Sequence, residues 1–429
     1  MRDGRPVLLY GAGAEARSTR AYLAEASPET KVYVTADSGG SDITDAEWLP
    51  PAELGAAIAA GRFDTLIKSP GVSLYKPVMA EMRAAGIVIT SNLNLWGARY
   101  GAGTRVIAIT GTKGKSTTAT LCHDMLTASG VASGLGGNVG VPPLDLGDRN
   151  DLVVLELSSY QTADMDFAPD IAAVTTLYSE HVDWHQSRER YFADKLRLLD
   201  LEPKPRLAFG PQAATHALVA THLDDPARLL PAIDDGLADA IAELAPHTRL
   251  RGQHNIDNAV LAAVVATACG ASRDGILAAI DSFKPLPHRL ADIRIGDHLF
   301  IDDSISTTPE ATEAALAAFA GRSIALIAGG YDRQQDYAHL AERIGTEGAA
   351  LVVCLPDTGA RLAAELRRRA SDIPLVEAPD LDAAMRAIAL RRTRFDTIIL
   401  SPGAPSYNQF RNFSERGDAF VTLARRLFG

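Results

Sequence analysis

The run Gly111-Thr112-Lys113-Gly114-Lys115-Ser116-Thr117 follows an apolar segment, Val106-Ile107-Ala108-Ile109, and precedes a helical pattern from Thr118 to Ala128. Glycines let a backbone wrap closely around phosphate. A helix N-terminus turns its N–H groups and partial positive charge toward the same anion. In such a loop Lys115 can reach the β- and γ-phosphates, and Ser116 or Thr117 can ligate Mg²⁺. The loop is a shortened variant, because Ile109 stands where the strict pattern has its first glycine. A lysine inside the loop calls for a multiply charged partner, so ATP is expected rather than NAD. Glu156, at the end of Leu152-Val153-Val154-Leu155-Glu156, offers the oxygen donor that Mg²⁺ prefers. His181 and Asp183, in Ser179-Glu180-His181-Val182-Asp183-Trp184-His185, can face the same metal, although each also reads as a structural residue. Lys195, taken by itself, reads as a solvated lysine on a helix.

Two further groups of polar turns carry candidate chemistry. Gly11-Ala12-Gly13-Ala14-Glu15-Ala16 approximates a dinucleotide fingerprint with alanine last, and Asp37 lies near the ribose-reading position of such folds. A nucleotide or its diphosphate fits there; a tight strand–helix turn is the alternative. Asp303, Gly329-Gly330-Tyr331-Asp332-Arg333 and Ser401-Pro402-Gly403-Ala404-Pro405-Ser406 each follow an apolar run. Parallel strands would bring these three turns to one sheet edge.

The elements that must position these residues are strands alternating with helices. Apolar runs occur at 7–10, 31–35, 65–67, 86–89, 106–109, 152–156, 171–175, 299–301, 324–327, 351–354 and 397–400, with helical patterns at 255–268 and 311–320 between them. That alternation predicts an α/β protein with parallel sheets, whose ligands sit beyond the C-terminal strand ends. The 429 residues correspond to about three domains of roughly 150 residues. Tyr100-Gly101-Ala102-Gly103-Thr104 marks one boundary and Lys284-Pro285-Leu286-Pro287-His288-Arg289 the other, giving domains 1–103, 104–285 and 286–429. The net charge of -11 argues against a broad nucleic-acid surface. Cys122, Cys269 and Cys354 lie far apart in apolar runs and read as free buried thiols. No secretory or membrane-spanning pattern is apparent, so a cytoplasmic, monomeric protein is expected, with no membrane insertion.

These motifs in this order resemble the Mur ligase family, most closely its glutamate-adding members. The resemblance spans nearly the whole chain. It is carried by 111–117, by Gly136-Gly137-Asn138-Val139-Gly140, Leu155-Glu156-Leu157-Ser158-Ser159-Tyr160-Gln161 and Glu180-His181-Val182-Asp183, and by Gly252-Gln253-His254-Asn255, Leu286-Pro287-His288-Arg289, Asp303-Ser304, Leu400-Ser401-Pro402 and Phe410-Arg411-Asn412-Phe413. It implies a Rossmann-like UDP-binding domain, a central P-loop ATPase domain and a C-terminal Rossmann-like domain. The activity it implies is ATP-dependent ligation of glutamate to UDP-N-acetylmuramoyl-L-alanine through an acyl phosphate, for peptidoglycan synthesis. The partners would then be UDP-N-acetylmuramoyl-L-alanine and glutamate.

The resemblance also implies roles for single residues. Gly111, Thr112, Lys113, Gly114, Lys115, Ser116 and Thr117 would hold ATP, with Asn255 on its adenine side and Arg289 and Asp303 closing over it. Two Mg²⁺ ions are implied, one on Ser116 and one near Glu156 and His181. Lys195 matches a carbamylated lysine that helps to order Mg²⁺. Lys115, Glu156, His181 and Lys195 would be catalytic. Gly11, Gly13, Ala14, Asp37, Ser69, Gly71, Asn138, Ser158 and Gln161 would bind the UDP substrate. Thr307, Arg333, Ser406 and Phe413 would bind glutamate.

The chain departs from the family pattern at two positions. Lys113 stands where asparagine is usual. Ile305 stands where D-glutamate-adding members have a lysine, which favours the branch that adds L-glutamate. Retention of D-glutamate with Arg411 replacing that lysine is the alternative. More distant alternatives are a folylpolyglutamate-synthase-like ligase and a non-catalytic nucleotide-binding regulator.

Overall fold

Apolar runs buried on both faces become the strands of three sheets, as parallel sheets covered by helices require. A computed structural model describes the chain apart from residues 1–4, 38–40, 42, 179, 181, 249, 251, 284–286, 333–334, 348 and 370–371. The first sheet contains β1 (Val7–Tyr10), β2 (Val32–Thr35), β3 (Glu47–Trp48), β4 (Thr65–Lys68) and β5 (Val88–Ser91). All its pairings are parallel, in the order β3-β2-β1-β4-β5. Side chains alternate between its faces: Leu8, Tyr10 and Leu66 join one core layer, Val7, Leu9 and Ile67 the other. The chain reverses direction across the sheet between β1 and β4. The loops after these two strands therefore flank the crevice where α/β sheets take ligands.

The second sheet contains β6 (Arg105–Thr110), β7 (Gly134–Gly137), β8 (Leu152–Glu156), β9 (Ile171–Val174) and β10 (Arg206–Phe209). It is also parallel, ordered β10-β9-β6-β8-β7. Ile107, Ile109 and Val154 pack against Cys122 and Met125 of the helix Lys115–Ala128 and Ala262 and Val265 of the helix Gln253–Ala268. On the other face, Val106, Ala108 and Leu155 pack against Leu93 and Trp96 of the helix Asn92–Tyr100. That helix leads into the glycine link expected to divide domains at 103/104, and it buries its apolar face in the second sheet's core. The first two sheets accordingly lie in one compact unit, Met1–Phe283.

The other unit, Lys284–Gly429, holds β11 (Ala291–Ile295), β12 (His298–Asp302), β13 (Ile324–Gly330), β14 (Leu351–Asp357), β15 (Leu375–Glu377) and β16 (Thr397–Leu400). Their order is β11-β12-β16-β13-β14-β15, with β11 antiparallel to β12 and the other pairs parallel. The three cysteines are free and buried. No helix among the described residues is long and apolar enough to cross a membrane.

The strands absent from the sequence reading, β3, β7, β10, β11 and β15, all lie at sheet edges. An edge strand is covered less completely, so it needs no continuous apolar run. Strand β7, Gly-Leu-Gly-Gly, has almost no side-chain pattern. The helix after the phosphate loop begins at Lys115, three residues before the apolar pattern does, which puts Lys115 and Ser116 in its first turn.

Within unit 1 a buried asparagine ties the two sheets together. Asn92 Nδ2 donates to Glu15 O, Ser18 Oγ and Thr19 Oγ1 at 3.0–3.2 Å, and Asn92 Oδ1 accepts from Leu144 N at 3.1 Å. Asn92→Ala would leave buried groups unpaired at a cost of about 1–3 kcal/mol. We expect a lower thermal unfolding midpoint for this variant; an unchanged midpoint would refute the assignment of Asn92 as a structural tie.

Candidate functional site

The loop after β6 turns on Gly111, whose φ of +140° suits glycine. A side chain there would run into Thr175 Oγ1 and crowd the backbone nitrogens of Thr175 and Thr176. Those two threonines, at the end of β9, hold the loop in place: Thr112 N donates to Thr176 O at 2.7 Å and Lys113 N to Thr176 Oγ1 at 2.9 Å. Thr112 Oγ1 donates to Tyr178 O and lies 2.9 Å from Tyr191 Oη. Gly114 caps the following helix and abuts the Asn258 carboxamide. Asn255 lies one turn earlier on that carboxamide's helix, within 3.5 Å of Asn258 Nδ2. Lys115 Nζ donates to Thr112 O at 2.8 Å, and Lys113 Nζ pairs with Glu180 at 2.6 Å. Ser116 and Thr117 are buried in the first turn.

Below this loop, unit 1 buries an amine and a carboxylate. Lys195, 2% exposed, donates to Gly111 O at 2.7 Å and lies 5.1 Å from the Tyr191 ring centre. Burial, with the charge of Lys115 adding to it, holds the Lys195 ammonium well below the usual lysine range. The solvated-lysine reading of Lys195 is therefore corrected, since its helix turns it inward onto the loop. Glu156, 1% exposed, ends β8 and pairs in register with Ile109. Strand β7 approaches it closely at Gly137, where a side chain would strike Glu156 O. Gly137 has φ +100°, and that turn delivers Asn138, whose N donates to Glu156 O at 2.8 Å and whose Nδ2 lies 3.2 Å from Glu156 Oε1. Glu156 Oε2 is buried with no hydrogen-bond partner among the described residues. A buried carboxylate oxygen in that state fits a cation ligand. His181 lies outside the described residues. Asp183 is exposed at the start of a short helix, Val182–His185.

The sequence reading missed a polar chain beside this centre. His185 is fully buried; its Nδ1 lies 2.6 Å from Asp194 Oδ2 and its Nε2 2.9 Å from Ser159 Oγ. Tyr75 Oη donates to Asp194 at 2.8 Å, which brings a loop of the first sheet to the helix that carries Lys195. The second histidine of His181-Val182-Asp183-Trp184-His185 was the available signal. Nothing in the sequence pairs it with Asp194.

At the first sheet, Gly11 N donates to Thr35 O and Ser69 N to Tyr10 O, both at 2.8 Å, so the loops after β1, β2 and β4 adjoin. Gly13 and Ala14 are exposed at the start of the helix Ala14–Ala26, and Gly71 is exposed in the loop after β4. Asp37 pairs with Lys76 and accepts from Tyr10 Oη at 2.7 Å. Ser158 and Gln161 form a reciprocal capping box at the helix Ser159–Thr162. Gln161 Nε2 also donates to Glu15 Oε1 at 2.8 Å.

In the second unit, Asp303 follows β12 and is buried. It accepts from Ser401 Oγ at 2.7 Å, Leu290 N at 3.2 Å and Ser306 Oγ. Burial pushes its carboxyl up to about 6, against the Arg289 charge. Thr307 and Phe413 are half-buried and Ser406 is buried. Phe413 O accepts from Ser304 Oγ at 2.7 Å, joining the start of the last helix, Phe413–Phe428, to the loop after β12. Arg333 lies outside the described residues. Arg411 is exposed and paired with Glu415. A cation absent from the sequence reading, Arg416, is 1% exposed; its guanidinium donates to Ser304 O at 2.8 Å, Ser304 Oγ at 3.0 Å and Ala404 O at 3.1 Å. Arg416 therefore ties together the loops after β12 and β16.

Comparison with known proteins places these features in context. Residues 109–218 match the Mur ligase middle domain and residues 288–404 the Mur ligase glutamate ligase domain. The chain is 35% identical to a UDP-N-acetylmuramoyl-L-alanine--L-glutamate ligase of Micromonospora sp., covering 99% of this chain and 98% of that protein. It is also 35% identical to a protein of the same name from Xanthomonas euvesicatoria pv. vesicatoria, covering 98% of this chain and 95% of the relative. Its fold is similar to the crystal structure of UDP-N-acetylmuramate-alanine ligase MurC from Thermotoga maritima, with a TM-score of 0.61 at 16% identity over 98% of this chain and 99% of that one.

The position of Gly111 makes the phosphate loop testable. Gly111→Ala forces an alanine into a strained conformation, costing roughly 1–3 kcal/mol, and into contact with Thr175. ATP affinity measured by calorimetry should fall on the order of tenfold or more. Unaltered ATP binding would exclude the loop as the phosphate site.

Proposed function

Because the chain belongs to the Mur ligase family, we propose that it joins L-glutamate to UDP-N-acetylmuramoyl-L-alanine with ATP, in the synthesis of peptidoglycan precursors. The observation that carries this reading is the near-full-length identity to relatives named for that reaction. The site chemistry agrees with it. A carboxylate does not accept an amine directly, so its oxygen first attacks the γ-phosphorus of ATP, giving an acyl phosphate and ADP. The glutamate amine then adds to the acyl carbon, the tetrahedral intermediate expels phosphate, and the nitrogen loses a proton. Lys115 swings from Thr112 O to the phosphates and offsets the charge that develops during transfer.

Mg²⁺ fits the donors described: Glu156 Oε2, which has no hydrogen-bond partner among the described residues, and the Ser116 hydroxyl. In this reading one ion sits with Ser116 and the other with Glu156, His181 and Lys195, and Mg²⁺ supplies charge neutralisation at the phosphates. Lys195 is suited to carbamylation, because only a neutral amine adds to CO₂, and its buried position favours that form. Its nitrogen lone pair bonds to the CO₂ carbon and a proton is released, leaving an anionic carbamate. Residues 1–103 bind UDP through Gly11, Gly13, Ala14, Asp37, Ser69 and Gly71, and the muramoyl end reaches Asn138, Ser158 and Gln161. Residues 104–285 bind ATP, with Asn255 on the adenine side. Residues 286–429 bind glutamate through Thr307, Arg333, Ser406 and Phe413. A single chain in the cytoplasm is the proposed working unit.

The isomer follows from the relatives and from one local observation. Arg411, the cation named above as a replacement for the lysine absent at Ile305, is tied to Glu415 on the surface. Initial rates with each pure glutamate isomer test the assignment, and L-glutamate should be preferred by roughly tenfold or more, the rate equivalent of one charge-assisted contact. A preference for D-glutamate would overturn the isomer and leave the ligase reading. Lys115→Ala should lower turnover by about 10²-fold or more while the protein stays folded, and near-normal phosphate release would refute the loop's catalytic role.

A further inference from the structure

Two acidic side chains share one lysine inside unit 1. Lys68, at the end of β4, is 2% exposed, and its Nζ lies 3.2 Å from Asp164 Oδ2 and 5.7 Å from the centre of the Trp184 ring. Glu15, the second residue of the helix that follows Gly11-Ala12-Gly13, feels both the attraction of the same lysine and the repulsion of Asp164. Glu15 Oε1 accepts from Gln161 Nε2 at 2.8 Å. Glu15 Oε2 is buried with no partner among the described residues. Lys68 is paired with Asp164, so ionising Glu15 as well adds a buried negative charge that has no ion-pair partner of its own among the described residues. Burial, the largest influence, raises the Glu15 carboxyl to about 7, with Asp164 adding to it and Lys68 and Gln161 opposing it.

The placement gives this carboxyl a consequence. Glu15 stands at a helix N-terminus of the kind that receives phosphate, on the loop proposed above for the UDP diphosphate. Its hydrogen bond reaches Gln161, in the Ser158–Gln161 capping box just past β8, where the muramoyl end of the same substrate is proposed to lie. The helix start is held from behind as well: Thr19 Oγ1 and Asn92 Nδ2 both donate to Glu15 O. We propose that Glu15 is a positioning residue that, uncharged, holds Gln161 and admits a nucleoside diphosphate at the glycine loop, and that its ionisation opposes the diphosphate. This deepens the proposed function and rests on the assignment of UDP to the first sheet.

The sign is fixed by the charges. As pH rises through neutrality Glu15 gains a negative charge, and diphosphate affinity falls. The experiment is calorimetric titration of the full-length protein with UDP across neutral pH, for the wild type, Glu15→Gln and Glu15→Ala, with circular dichroism confirming the fold. Wild-type affinity should fall by about tenfold from the acidic to the alkaline side, the equivalent of one pKa unit of differential interaction. Glu15→Gln, permanently neutral and still able to accept from Gln161, should bind at the wild-type acidic level throughout. Glu15→Ala should be weaker than Glu15→Gln at every pH. UDP binding with the same pH profile in wild type and Glu15→Gln, or equal affinities for the Ala and Gln variants, would overturn the role of Glu15 and leave the UDP assignment intact. Failure of the folded wild type to bind UDP at any pH would overturn the assignment and the inference with it.

Discussion

A buried amine and a buried carboxylate that do not satisfy each other set the terms for the centre of this protein. Lys195 is bound to a loop carbonyl, and one oxygen of Glu156 has no hydrogen-bond partner among the described residues. Folding gains little from burying such groups, because each loses hydration. They are retained where the surrounding structure fixes them for ligands that arrive later. Here the fixing is done by backbone: β8 brings Glu156 beside Ile109, and the helix Arg188–Leu196 drives Lys195 up to Gly111 O. The Gly111–Thr117 loop is shaped by the same contacts, so the proposed nucleotide site and the proposed chemistry beneath it share one scaffold.

That scaffold depends on the first sheet being bound firmly to the second. Asn92, Tyr75 and Glu15 each carry hydrogen bonds from the first sheet's loops and helices into the elements around β8 and the Lys195 helix. A substrate proposed to extend from a UDP group in one sheet to a reacting carboxyl in the other needs such a fixed span, since small displacements of reacting groups are costly in rate. The second unit has its own organising residue. Arg416 supplies three hydrogen bonds from one buried guanidinium to the loops after β12 and β16, beside the buried carboxyl of Asp303. Mobile loops would make a poor amino-acid pocket, and a planar fork with several donors is well suited to tying them together.

The sequence by itself determined the fold class and singled out the Gly111–Thr117 loop. Continuous apolar runs marked every interior strand of the described sheets, because a strand covered on both faces must be apolar throughout. Gly111 to Thr117 stood out as a candidate phosphate site through glycine spacing and an internal lysine. Only the tertiary structure decided the rest. Strand β7 escaped notice because Gly-Leu-Gly-Gly carries almost no side-chain pattern, although Gly137 on β7 sets Asn138 against Glu156. Lys195, taken by itself, reads as a solvated lysine, yet its helix turns it inward. Glu15 and Lys68 are ordinary charged residues in sequence. What gives them their character is burial beside Asp164, nearly a hundred residues from Lys68 along the chain, and charge interactions depend on distance and solvent exposure in space, neither of which a linear pattern records.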